Sequence, residues 1–265
     1  MEQCWHVIAP QFLPKEVEEI TFEKTQDLLF WSFQEAKAPS DADVSIAVTL
    51  APAMEFTATY PIVPVQQLHP TGQKIQWDVR TGTDGTLVEL ETGLELSSLF
   101  WEAELSPRHP VLSPSRPDPH EKAGSFDVEK WDLSDWDSVV LPVEEVTAYL
   151  QKALKRLGLH TEARTSFITF WLPSFLNHHH IALRFIPQTD YSRLAPLDIT
   201  PEPDVVTRVF MLFKGVLDPE AWPSARRRAL DDVAGWADIV GVDAEAAFNK
   251  DFSRVLEWGA MEIPP

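Results

Sequence analysis

Proline sets the first limit on how this chain can fold. It occupies 22 of 265 positions, about 8% against an average near 5%. Each proline fixes φ and removes a backbone donor, so it interrupts helices and is confined to the ends and edges of strands. A bundle of long helices is excluded, and short strands joined by rigid connections are favoured. The densest group is Pro107, Pro110, Pro114, Pro117 and Pro119, where neither a central strand nor a helix can form. The stretch 106–130 therefore reads as a long proline-rich loop that divides a β-rich front from a mixed back. Loops of this length tend to be lids or linkers.

Alternation defines the front. Val44, Ile46, Val48 and Leu50 fall on one side of a strand over 44–50, and Ile75, Trp77 and Val79 on one side of 74–80. Residues 27–34 (DLLFWSFQ) and 55–60 (EFTATY) have strand length and composition. Asp84-Gly85 and Thr92-Gly93 are turn signals, so 86–91 and 94–105 are expected to pair as a hairpin. In the second arm Leu99 and Trp101 share one face, while Phe100, Glu102 and Glu104 share the other.

The back half opens with a helix from Pro142 to Leu157. Val143, Val146, Leu150, Ala153, Leu154 and Leu157 recur at helical spacing. Glu144 and Glu145 near its start, and Lys152, Lys155 and Arg156 near its end, suit the helix dipole. Gly158 ends it. Thr161 caps a second helix that runs to about Leu172, where Pro173 ends or kinks it. Strands are expected over 179–185, 205–214 and 254–258, with short helices over 225–236 and 243–251. The fold class is α+β: a β-rich, antiparallel, sandwich-like sheet arrangement with a helical hairpin in the C-terminal half. The front strands are too few to close a core unaided, so residues 1–265 are expected to form a single integrated domain.

Charge narrows the partners. The chain carries 41 acidic and 22 basic residues, a formal charge of −19. A surface this acidic repels phosphate backbones and anionic bilayers, so neither nucleic acid nor membrane is expected as a partner. No apolar run reaches the roughly 20 residues of a membrane-spanning helix. The opening Met1-Glu2-Gln3-Cys4-Trp5-His6 has no secretory character. With Cys4 the lone cysteine, no disulfide framework or multi-thiolate metal site can form. A cytoplasmic protein is expected. The phosphate-binding GxxxxGK[ST], the dinucleotide GxGxxG, the GxSxG elbow, HExxH and CxxC are all missing. No cofactor and no metal is expected, and the oligomeric state is open.

Ten tryptophans serve either a large apolar core or the flat walls of a pocket. Trp101-Glu102 and Glu257-Trp258-Gly259 each place a carboxylate beside an indole. If their strands converge, Glu102 and Glu257 become an acid and a base between aromatic walls, where a raised pKa would suit proton transfer. Trp101, Trp171 and Trp258 would then shape the substrate pocket, and Arg208 would anchor a polar group. The plainer reading makes Glu102 and Glu104 part of a solvated acidic stripe with Glu89, Glu91 and Glu95. It makes Asp204 and Arg208, which share a strand face, a buried salt bridge or clamp. His178, His179 and His180 read as an exposed turn, as two metal ligands, or as a catalytic histidine. Asp132, Asp135 and Asp137, with Trp131 and Trp136, read as caps; a calcium loop would need more oxygen ligands and a turn glycine.

Four stretches recur in a familiar order: Leu99-Phe100-Trp101-Glu102, then Phe167-Ile168-Thr169-Phe170-Trp171-Leu172-Pro173, then Pro203-Asp204 with Arg208-Val209-Phe210-Met211, then Leu256-Glu257-Trp258-Gly259. Over roughly residues 75–260 the chain resembles a group of fungal and bacterial proteins that has no assigned activity. The resemblance implies a shared fold and transfers no catalytic residue. The proline-rich loop, the helical segment 220–250 and the histidine trio depart from the group's pattern.

Two function classes follow. The first is a small-molecule enzyme without redox or nucleotide cofactor: an isomerase, cyclase or lyase that acts by acid–base chemistry on an apolar substrate in a tryptophan-lined pocket. The second is a non-catalytic binding module that recognises a carbohydrate or protein partner through aromatic residues.

Overall fold

The computed structural model describes residues 29–52, 54–68, 72–105, 132–231 and 233–263. The proline-rich stretch 106–130, Trp131 and Cys4 lie outside the described residues. The front holds β1 (Leu29–Lys37), β2 (Ala42–Thr49), β3 (Met54–Tyr60), β4 (Gln66–Leu68), β5 (Gly72–Thr81), β6 (Leu87–Glu89), β7 (Glu95–Leu96) and β8 (Leu99–Leu105). The back holds β9 (Val139–Pro142), α1 (Val143–Arg156), α2 (Thr161–Phe175), β10 (His180–Phe185), α3 (Gln188–Leu194), β11 (Leu197–Thr200) and β12 (Val205–Gly215). These are followed by α4 (Pro223–Arg228), α5 (Gly235–Val240), α6 (Ala244–Phe248) and β13 (Arg254–Glu262).

Two sheets form. A seven-stranded sheet runs β3-β8-β1-β13-β12-β10-β9, and a six-stranded sheet runs β11-β2-β5-β6-β7 with β4 paired to β5. All pairings are antiparallel except β12 with β13. A parallel pair needs a long crossover, and the segment carrying α4, α5 and α6 supplies it.

Alternation decides what each sheet buries. Ile46, Val48, Ile75, Trp77 and Val79 point from the six-stranded sheet into a core shared with Phe30, Leu99, Trp101, Phe210, Leu212 and Met261 of the seven-stranded sheet. The next residues along those seven strands point the other way. Val209, Met211, Phe213, Trp258 and Ala260 pack under α1 and α2, against Leu150, Leu154, Phe167, Trp171 and Phe175. The result is three layers, with the seven-stranded sheet in the middle and buried on both faces. This is the expected β-rich α+β architecture, with its helical pair in the C-terminal half.

Several boundaries move. The expected hairpin over 86–105 breaks: β6 lies between β5 and short β7, and after Ser97-Ser98 the chain crosses to pair β8 with β1 and β3. Leu99 and Trp101 thereby enter the shared core. Pro173 does not end α2, which continues to Phe175. Phe175 is fully buried there, edge-on to Phe213 at 4.9 Å, and that burial outweighs the lost hydrogen bond. The cap of α2 is His160, whose side chain accepts from Ala163 N, rather than Thr161. The helix expected over 225–236 is two short ones, α4 and α5, the second beginning at Gly235.

Candidate functional site

The residues singled out from the sequence separate into two places. Glu257, Trp101 and Arg208 meet in the core between the sheets. Gln34 of β1 and Arg208 of β12 flank Glu257 in register, and all three side chains point toward the six-stranded sheet. Glu257 is fully buried. Its Oε1 accepts from Ser32 Oγ at 2.8 Å, Gln34 Nε2 at 3.1 Å, Tyr191 OH at 3.2 Å and Trp101 Nε1 at 3.3 Å. Its Oε2 receives the Arg208 Nε–H. Arg208 also donates through Nη1 to Ser192 Oγ at 3.0 Å, and its guanidinium lies 4.2 Å from the centre of the Tyr191 ring. Burial, then the charge of Glu257, pushes the Tyr191 phenol well above its ordinary range, so it stays a donor. A carboxylate ringed by donors and an adjacent guanidinium is how a core tolerates a buried charge. Arg208 finds its partner in Glu257, while Asp204 instead holds Ser253 through N and Oγ.

Glu102 is not part of this group. It pairs with Trp31, on the face opposite Trp101, and accepts from Thr57 Oγ1 at 2.5 Å near the sheet edge. The expected convergence of Glu102 with Glu257 therefore does not occur: both flank β1, but alternation puts them on opposite faces of the sheet. Trp171 and Trp258 are also on the helix side, away from Glu257. Trp171 fills the core among Trp31, Phe170 and Phe213. Trp258 stacks on Phe33 with ring centres 4.4 Å apart.

The open chemistry lies beneath Trp258. Trp31, Phe33, Glu35 and Lys37 follow each other along the helix-side face of β1. Glu35 accepts from Trp258 Nε1 at 3.3 Å and meets His160 Nε2 at 2.5 Å. His160 uses Nδ1 to accept from Ala163 N at 3.4 Å. In the neutral ring that leaves the proton on Nε2, pointing at Glu35. The side chain of Glu35 keeps 12% of its surface exposed, at the junction of two clefts. The first, about 630 Å³, runs between β1 and α2, with Phe33, Phe170 and Trp258 as its apolar wall and the turn at Asp84–Thr86 at its rim. The second, about 520 Å³, extends past His160 toward Phe248, Lys250 and Arg254. Glu35, Lys37 and Asp84 line both. Glu257 lines neither.

The remaining sequence candidates take structural places. His178 pairs with Glu262 at 2.8 Å. Among the described residues no three His, Cys, Asp or Glu side chains are placed to hold a metal ion. Asp135 caps the start of α4 through Ser224 N and Ala225 N, Asp137 binds Arg184, and Asp132 binds Lys214. No helix among the described residues is long and apolar enough to cross a membrane.

No protein family, no curated protein and no solved structure matches this chain.

Proposed function

We propose that this protein is a small-molecule enzyme that works by acid–base chemistry without a redox or nucleotide cofactor, of the isomerase, cyclase or lyase type. Its substrate carries a flat apolar body that rests against Phe33, Phe170 and Trp258. Glu35 takes the proton and returns it elsewhere on the same molecule. The observation that carries this reading is the setting of Glu35: a largely buried carboxylate, aimed by two N–H donors, at the edge of an aromatic-walled cleft of about 630 Å³. Clefts of a few hundred Å³ with an apolar wall and few polar groups suit small ligands. A base held in one orientation needs no reorganisation when the substrate arrives. His160 is a positioning residue that acts through Glu35, while Trp258 both orients Glu35 and forms part of the substrate wall. The resemblance to the fungal and bacterial group would then extend to this cleft, because Phe170 and Trp258 belong to its motifs.

Glu257 and Arg208 hold the core of the proposed enzyme together and do not touch the substrate. The binding-module reading has weaker support, because among the described tryptophans only Trp136 is exposed, at 78%. A strip for stacking on a sugar needs several exposed rings.

The test is mass spectrometry of a small-molecule extract incubated with wild type, Glu35→Gln and Glu102→Gln. A feature converted by wild type and Glu102→Gln but not by Glu35→Gln supports the reading. Conversion that survives Glu35→Gln removes it. An extract left unchanged by every protein argues for a binder.

A further inference from the structure

The two clefts that meet at Glu35 differ in charge. Apart from the shared Glu35, Lys37 and Asp84, the first adds the carboxylates Glu95 and Glu162 and no cation. The second adds Lys250, Arg254 and His160 and no carboxylate. In a chain of formal charge −19, a cleft whose own lining is cationic is unexpected from composition.

Lys37 has the Asp84 carboxylate near it, but neither of the two cations contributed by the second cleft alone, Lys250 and Arg254, forms an ion pair among the described residues. Arg254 donates Nη1 to the Ala247 carbonyl at 3.1 Å, while its buried Nε has no partner. Burial lowers its proton affinity. Lys37 lies across Gly85: a Cβ built there would fall 2.2 Å from Lys37 Cε. A glycine with φ +91 thus leaves room for the ammonium to sit where the clefts join. Guanidinium and ammonium groups short of acceptors, beside an apolar wall, are the complement of an organic anion.

We propose that the second cleft is an anion subsite. The ligand is an amphiphilic organic acid, with its carboxylate or phosphate held by Lys37, Lys250 and Arg254. Its flat apolar body passes Glu35 and lies against Phe33, Phe170 and Trp258. This names the substrate class of the proposed enzyme and rests on that reading only for what becomes of the ligand, not for its binding.

Calorimetry with the full chain tests it, using naphthalene-2-carboxylate, naphthyl phosphate and the neutral naphthalene-2-carboxamide as probes. In wild type one of the two anions binds about tenfold tighter than the amide, as partly screened charge pairs allow. The tighter anion tells which acidic group the site takes. Lys250→Gln, an exposed change with little risk to folding, and Lys250→Gln with Arg254→Gln each shrink that advantage, the pair to within roughly threefold of the amide. Salt near about 1 M shrinks it too. Phe170→Ala weakens anion and amide alike. Equal binding of the amide and both anions by wild type overturns the proposal. So does an advantage that persists in a folded double variant. Glu35→Gln binds the anion at least as well as wild type, so a loss of turnover with binding intact separates the two readings.

Discussion

Glu35 and Glu257 stand on paired strands one residue out of register: Gln34 is opposite Glu257, and Glu35 is opposite Leu256. Because successive side chains alternate across a strand, that one-residue offset sends the two carboxylates to opposite faces of the same sheet. Glu257 is sealed between the sheets among Ser32, Gln34, Trp101, Tyr191 and Arg208. Glu35 faces the helices, where His160 and Trp258 hold it at a cleft. One carboxylate is enclosed in the core and the other lines two open clefts.

The open carboxylate should be dispensable for folding and essential for turnover. Glu35→Gln keeps an oxygen that can accept from His160 or Trp258 but cannot take a proton as a base. Loss of a general base lowers the rate by roughly 10²–10⁴-fold, while the thermal midpoint should move by only a few degrees. Substrate consumption and a melting curve on the same preparation check both halves. A variant that melts far below wild type would recast Glu35 as a structural residue.

The sealed carboxylate should behave in the opposite way. Removing one member of a buried pair leaves the other charge uncompensated, at about 3–5 kcal/mol. Glu257→Ala also deprives four further donors of their acceptor. Glu257→Ala and Arg208→Met are each expected to lose stability on that scale. The double variant should lose less than the sum, because no lone charge remains. Urea denaturation of the three proteins measures this. Near-wild-type stability in either single variant would contradict the role assigned to the pair.

The fold was largely legible because its strands obey a period of two. Val44, Ile46 and Val48 against Ile75, Trp77 and Val79 mark a buried face before any pairing is known, and Ile46, Val48, Ile75, Trp77 and Val79 are fully or almost fully buried. The separation of Trp101 from Glu102 was legible for the same reason. The site was not. The apolar run of β1 stops at Gln34, one residue before Glu35, although Trp31, Phe33, Glu35 and Lys37 continue the alternation. Its partner His160 lies 125 positions away, in a connector where Thr161 looked like the cap. A histidine at an N-cap position is a weak local signal. That Glu102 and Glu257 face opposite sides is not legible, because sequence gives the face of each strand only relative to itself. Which face of β8 matches which face of β13 depends on β1 lying between them.

A buried and an exposed tryptophan should report their different surroundings. Trp171 packs among Trp31, Phe170 and Phe213, so Trp171→Ala is expected to cost about 3–5 kcal/mol. Trp136 is 78% exposed, so Trp136→Ala should fall within about 0.5 kcal/mol of wild type. Denaturant midpoints compare them directly. If Trp136→Ala instead abolishes binding of a sugar or peptide while the fold is kept, the protein is a binding module and the cleft reading fails.

Stability should fall at both ends of the pH scale, for different groups. Burial works to raise Asp132, Asp135 and Glu89, but the hydrogen bonds they accept outweigh it and hold all three below the ordinary carboxylate range. Arg80 lowers Asp43, the backbone N–H of Thr86 lowers Asp84, and the hydroxyl of Ser253 lowers Asp204. With folded values below unfolded ones, the unfolded chain binds protons first as pH drops. The stability these groups contribute is therefore complete above roughly pH 4–4.5 and is lost as pH falls through the lower folded values. Tyr191 and Tyr149 have the opposite sign, since burial raises both phenols. Their contribution is intact below about pH 10, the unfolded value, and is lost as pH rises beyond it. Urea midpoints across the range should trace a plateau with two falling edges. In Tyr191→Phe the plateau should drop, because Glu257 loses a donor, while the alkaline edge becomes shallower. An alkaline edge of unchanged slope in that variant would show that Tyr191 is not the group responsible.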